Sequence, residues 1–150
     1  MKEITNVTII STNLNKKLFD KYEGYHIIEN DFSYNELKEK KKVILFNILN
    51  NLKEDDIRNL LKFLKENHIL FIIATNNMEL VLFTEKLMVY DKENVLIEGN
   101  TIEVLKNEKL LKRLGFKLPF MFELSLLLKD YDLINDIYLD KEGLVDKLWK

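Results

Sequence analysis

An α/β fold whose central strands run parallel is the class this sequence predicts, and three observations carry it. Two uninterrupted apolar runs, KVILFNIL (42–49) and HILFIIAT (68–75), have the composition of strands buried on both faces. Between them, KEDDIRNLLKFLKEN (53–67) places Ile57, Leu60, Leu61 and Leu64 on one helical face, and a strand–helix–strand order joins parallel neighbours. After the second run, KLMVYD-KEN-VLIEG (86–99) reads as two strands about a tight polar turn, an antiparallel hairpin that closes the sheet.

The remaining elements follow in order. NVTIIST (6–12) is a short, β-branched, buried strand. NKKLFDKY is a short helix, and GYHIIENDF a second short strand leading into SYNELKEKK, where Ser33 is the N-cap and Glu36 completes a capping box. In the central helix Glu54, Asp55 and Asp56 occupy the first turn, where the helix dipole favours negative charge. NMELVLFTEK (77–86) is a further short helix, preceded by a turn in which Asn76 or Asn77 is the N-cap. The last third is helical. TIEVLKNEKLLKRLG is one helix stopped by Gly115, and Pro119 opens the next at the position where its missing N–H costs least. That helix, PFMFELSLLLKD (119–130), is apolar nearly all round and is expected to be buried on two sides, the second by another subunit.

Composition excludes several classes. With 150 residues, 47% apolar and 32% charged, the chain builds one domain with a substantial core and is not disordered. Its net charge of −2 gives no electrostatic footprint for nucleic acid, and the local run KEKKK (38–42) is read as a solvated helix end. Cysteine is absent, which removes disulfides, thiolate metal sites and a cysteine nucleophile. There is no apolar run near membrane-spanning length and no apolar leader in MKEITNVTII, so a cytoplasmic protein that is not membrane-embedded is expected. His26 and His68 lack partners at ligand spacing and are read as structural or surface residues, so no metal site is expected. Trp149 is read as a core residue.

From Lys42 onward the chain resembles the second half of an ABC transporter ATPase, and is most similar to the ATPase subunits of energy-coupling factor (cobalt-type) importers. VILFNILNNLKEDDIRNLLKFLKEN takes the place of the Walker B strand, D-loop and following helix. ILFIIATNNMELVLFTEKLMVYDKENVLIEGN is similar to the switch strand and closing hairpin, with Gly99, Asn100 and Thr101 before the pair Glu103–Val104. EKLLKRLGFKLPFMFELSLLLKDYDLI and the terminal EGLVDKLW resemble the helical extension behind the importer ATPases. The N-terminal third has two placements. VTIISTNLNKKLFDKYEG lies either on the strand, phosphate loop and helix start, with Asn13 on a loop asparagine and Lys17 on the phosphate-binding lysine, or on the Q-loop, with Thr12 where Gln belongs. The strand–turn–helix order favours the first. FSYNE (32–36) falls where a signature-motif remnant is expected, and the interval up to Val43 is far too short for the family's helical subdomain.

The resemblance implies a shortened P-loop NTPase-like (ABC ATPase-like) sheet at 1–100 without that subdomain, and a helical extension packed on it at 101–150. The residues at the implied nucleotide positions do not suit the chemistry. A phosphate loop needs glycines, so that backbone N–H groups converge on phosphate, and a hydroxyl for Mg²⁺; STNLNKKL has no glycine, and Leu18 follows Lys17. Phosphoryl transfer needs a Mg²⁺ carboxylate and an acid that orients water, and the matching residues are Asn47 and Ile48. The D-loop acid is replaced by Lys53 and the switch histidine by Asn76. Together these changes remove the transition-state electrostatics, so no ATPase activity and no cofactor are expected. The expected function is a catalytically inactive relative that acts by protein–protein contact, with itself or another ABC ATPase-like subunit, at the periphery of a membrane transporter. Phe120, Met121, Phe122 and Leu124 are the candidate anchors. The alternatives are a weak nucleotide or small-ligand sensor built on Lys17, Asn47 and Asn76, and a small enzyme of unrelated chemistry.

Overall fold

The computed structural model describes residues 6–139 and 141–149, without the Trp149 side chain. Six strands form one sheet: β1 (Val7–Ser11), β2 (His26–Ile28), β3 (Lys42–Phe46), β4 (Leu70–Thr75), β5 (Lys86–Asp91) and β6 (Asn94–Asn100). Their spatial order is β2-β3-β4-β1-β5-β6. Every neighbouring pair is parallel except the β5–β6 hairpin. The parallel centre and closing hairpin are those the apolar runs predict.

The helices are α1 (Tyr34–Lys38), α2 (Glu54–Glu66), α3 (Thr101–Leu105), α4 (Glu108–Arg113), α5 (Phe120–Asp130) and α6 (Lys141–Trp149). Side chains alternate across the sheet with period two and separate its two faces. Val43, Leu45, Phe71 and Ile73 meet Ile57, Leu60, Leu61 and Leu64 of α2 in one cluster. On the same face, Ile10, Leu87 and Val89 pack with Val104, Leu111 and Phe122 of the C-terminal helices. Val7, Ile9, Ile44, Ile72, Met88 and Tyr90 point the other way, and there Leu18, Phe19 and Tyr22 cover them. The Tyr22 and Tyr90 hydroxyls hydrogen-bond at 2.9 Å inside this cluster.

Several local expectations are corrected. The helices read at NKKLFDKY and 77–86 are 3-10 turns, Lys16–Phe19 and Met78–Phe83. The single helix read from Thr101 to Gly115 is two, because the Asn107 amide donates to the carbonyls of Glu103 and Val104 and ends α3 there. Gly115 does stop α4: at φ +91° it lets Phe116 N–H reach the Leu111 carbonyl at 2.9 Å, closing a Schellman turn. Pro119 sits one residue earlier than predicted, as the N-cap of α5. Of the two asparagines weighed as a cap, Asn77 performs it, accepting from Glu79 N–H at 3.0 Å. Ser33 caps α1 as predicted, accepting from Glu36 N–H at 3.2 Å. The two histidines have structural explanations. His26 begins β2, and His68, at φ +56°, takes the left-handed residue after α2, with Ile69 N–H bonded to the Leu64 carbonyl. Among the described residues, no group of His and acids is arranged to hold a metal.

Candidate functional site

In open α/β sheets, ligands bind beyond the carboxyl ends of the parallel strands. Asn13 follows β1, Asn47 follows β3 and Asn76 follows β4, and these three strands are adjacent, so three of the four sequence-derived positions share one sheet edge. Asn47 is held in the left-handed region (φ +60°) and donates its N–H to the Ala74 carbonyl at 2.9 Å, which continues the β3–β4 ladder by one bond.

The group that connects this edge is Asn50, which the sequence reading passed over. Its amide nitrogen lies 3.5 Å from Asn47 Oδ1 and 3.4 Å from Asn76 Oδ1, both at the outer limit for a hydrogen bond. Its Oδ1 accepts a short bond, 2.6 Å, from the hydroxyl of Thr75. Thr75 Oγ1 in turn accepts from Asn77 N–H at 3.0 Å. Hydroxyl and amide groups make up this network, and among the described residues no charged side chain takes part in it. The 3-10 turn Ile48–Asn51 carries Asn50 back toward β4, a tertiary placement with no periodic signal in the sequence.

The loop after β1 has a different character. Three N–H groups of the stretch 13–18 already have acceptors, at Ser11 or Asn15. Asn13 N–H donates to Ser11 Oγ, Lys17 N–H to Asn15 Oδ1, and Leu18 N–H to the Asn15 carbonyl. A phosphate loop offers such groups to the ligand. Leu18 is buried, and Leu14 packs against the same cluster as Phe46, Ile72 and Ala74. Lys17 is exposed, and among the described residues no hydrogen bond or ion pair ties its ammonium to Asn47 or Asn76. The four positions are therefore not one constellation: Asn47 and Asn76 meet through Asn50, while Asn13 and Lys17 belong to a loop closed on itself.

The anchors proposed on α5 also separate. Phe122 is fully buried in this chain's own core, which corrects its assignment as a contact residue for a partner. Phe120 is 64% exposed, and with Leu124, Leu127 and Tyr131 it follows the 4-3-4 spacing of a single helical stripe. Leu127 and Tyr131 were missed as anchors, although the spacing of the four apolar residues was legible. Met121 turns to a different side and lines a groove beside Leu139. Within the chain, α5 is thus packed on one face and open on the other. Among the described residues, no helix is long and apolar enough to cross a membrane.

No protein-family model matches the chain. It is 30% identical over 99 residues to the energy-coupling factor transporter ATP-binding protein EcfA1 of Lactobacillus delbrueckii subsp. bulgaricus, covering 65% of this chain and 35% of that protein. EcfA1 of Bacillus subtilis is 30% identical over 104 residues, 68% of this chain and 37% of that one. A putative ABC transporter ATP-binding protein of Pyrococcus horikoshii is 28% identical over 102 residues, 67% of this chain and 36% of its own length. A partial superposition relates 51% of the chain to 33% of cbiO1 from Clostridium perfringens, part of the ABC transporter complex cbiONQ, at 27% identity and a TM-score of 0.39. The chain spans a little over a third of the length of the curated relatives it matches. Across that span it is ABC ATPase-like, and similar to the ATP-binding subunits of energy-coupling factor transporters.

Proposed function

We propose that this is a catalytically inactive ABC ATPase-like domain that works by protein–protein contact, pairing with a second copy or another ABC ATPase-like subunit in the cytoplasm, at the periphery of a membrane transporter. The observation that carries the reading is the loop after β1. The N–H groups of Asn13, Lys17 and Leu18 are bonded to acceptors at residues 11 and 15 and its leucines pack over the sheet, where a nucleotide-binding loop would turn its N–H groups to phosphate. The asparagine network supports the same reading, since it offers neither charge to a metal nor a base to water. The stripe Phe120, Leu124, Leu127 and Tyr131 supplies the contact face, with two aromatic residues of the kind that dominate interfaces.

A second reading rests on Asn50. Because it gathers Asn47 and Asn76 at the sheet edge, a weak nucleotide or small-ligand sensor without hydrolysis remains the alternative. One pair of measurements separates the two. Unfolding with and without millimolar Mg²⁺–ATP or Mg²⁺–ADP is expected to show no change in midpoint. A ligand at a hundred times its Kd adds about 2.7 kcal/mol, and a rise of about 5 °C would put the sensor first. Sedimentation of the wild type against Leu127→Glu is expected to show loss of self-association, or of capture of a co-expressed ATPase subunit, in a variant that stays folded. An unchanged assembly state would end the contact reading.

A further inference from the structure

The two outermost strands of the sheet differ. β2 is three residues long, whereas β6 runs for seven and pairs with β5 alone. The register shows which of its backbone groups are unused. Thr101 N–H donates to the Glu85 carbonyl at 2.8 Å, one step beyond the pair Lys86–Asn100. Bonded and non-bonded pairs alternate along an antiparallel ladder. Gly99 and Ile97 therefore turn their N–H and C=O groups toward β5, while Glu98 turns both of its own, and Asn100 its N–H, outward. Among the described residues, no other element supplies a backbone partner for Glu98.

Outer strands are commonly protected by proline, lysine, a bulge or a covering element. The bulge here is at Leu96, left over between the pairs Val89–Ile97 and Tyr90–Val95, so it precedes the open stretch. From Ile97 to Asn100 there is neither proline nor lysine, and Glu98, Gly99 and Asn100 are exposed. Side chains alternate between the faces of the strand. Ile97 packs on the cluster that holds the C-terminal helices, and Gly99 shares its face and offers no side chain. The Glu98 carboxylate lies on the other face, with no hydrogen bond or ion pair among the described residues.

We propose that the outer side of β6 takes up an extended segment of a partner protein as a seventh, antiparallel strand, with lysine or arginine opposite Glu98 and apolar residues on either side of it. The backbone fixes the kind of occupant, because a row of unpaired N–H and C=O groups is matched by another extended chain. Glu98 fixes the residue directly across from it, since opposite charges favour a cross-strand pair. The neighbours of that residue fall on the face of Ile97 and Gly99, where an apolar side chain meets Ile97 and a larger one covers the glycine. A second copy of β6 does not suit the site: its own outward residues, Glu98 and Asn100, are not basic, and pairing about Glu98 sets two carboxylates opposite each other.

The test uses fluorescence anisotropy of the full chain with a fluorescein-labelled peptide, Thr-Val-Thr-Val-Lys-Val-Thr-Val-Thr. N-methylation of the lysine removes an N–H that faces β6 and is expected to weaken binding about tenfold or more. N-methylation of the two valines beside it, whose N–H groups face away, is expected to stay within about threefold. Glu98→Lys is expected to weaken the lysine peptide about fivefold and to strengthen its glutamate counterpart. Asp31→Lys, the same charge change beyond the opposite end of the sheet, is expected to stay within about twofold. Absence of binding, equal losses from the two methylation patterns, or no exchange of charge preference in Glu98→Lys would overturn the inference. So would a wild-type dimer that the peptide dissociates in sedimentation, which would give β6 to a second copy. The inference does not rest on the α5 contact: Leu127→Glu is expected to leave peptide affinity unchanged, so either reading can fail without the other.

Discussion

The loop after β1 and the helix after Pro119 are both richer in leucine and phenylalanine than their positions require, and the fold treats them in opposite ways. In the first, Leu18 and Phe19 turn inward and Leu14 lies against them, so a segment at the edge of an open sheet becomes part of its core. In the second, only Phe122 and Ser125 are buried, and Phe120, Leu127 and Tyr131 face outward. Apolar surface removed from water by the chain's own folding contributes to stability; apolar surface left out contributes only when something else covers it. The comparison thus separates a region committed to the fold from one available to a partner.

The sharpest break lies inside α5 itself. Phe122→Ala is expected to cost about 3–5 kcal/mol in a urea titration, while Phe120→Ala is expected to stay within about 0.5 kcal/mol. Equal losses would mean that Phe120 is buried in solution and that the stripe is not an open face. The loop gives the next largest effect. Leu18→Ala is expected to lower stability by about 2–4 kcal/mol without creating any response of the midpoint to Mg²⁺–ATP. A surface-like loss below about 0.5 kcal/mol would show that the loop is not packed on the sheet.

Tyr22 sharpens the same region. Burial first, and then the hydrogen bond to Tyr90, hold its phenol above the ordinary tyrosine range. The folded state therefore favours the protonated form. Its contribution is intact below about pH 10 and declines as the pH rises beyond that, because the unfolded chain releases the proton first. Tyr22→Phe leaves the buried Tyr90 hydroxyl without its partner and is expected to cost about 1–2 kcal/mol at neutral pH. It is also expected to flatten the alkaline loss of stability, measured by unfolding between pH 8 and 11. The smallest effect is a gain: His68→Gly relieves a left-handed residue and is expected to add about 0.5–1 kcal/mol, which a histidine serving a site would not allow without loss of function.

Much of this was open to inspection in the chain itself. The runs at 42–49 and 68–75 gave β3 and β4, the residues between them gave the buried face of α2, and the polar turn KEN (92–94) gave the hairpin. Periodicity works there because each element is long enough for its buried face to dominate local preferences. It failed at Asn107, where one side chain competes for backbone carbonyls and divides a helix, and at the 3-10 turns, which are too short to show a period.

The sequence by itself determined the class of sheet, the absence of glycine from residues 11–18 and of an acid at 47 and 48, and the apolar spacing of α5. Only the tertiary structure decided that Asn50 joins Asn47 to Asn76, that Leu14 and Leu18 close over the sheet, and that Phe122 is core while Phe120 is surface. The physical reason is the range of the forces involved. Backbone periodicity is set by neighbours along the chain, whereas burial and side-chain hydrogen bonds depend on which distant segments arrive at the same place.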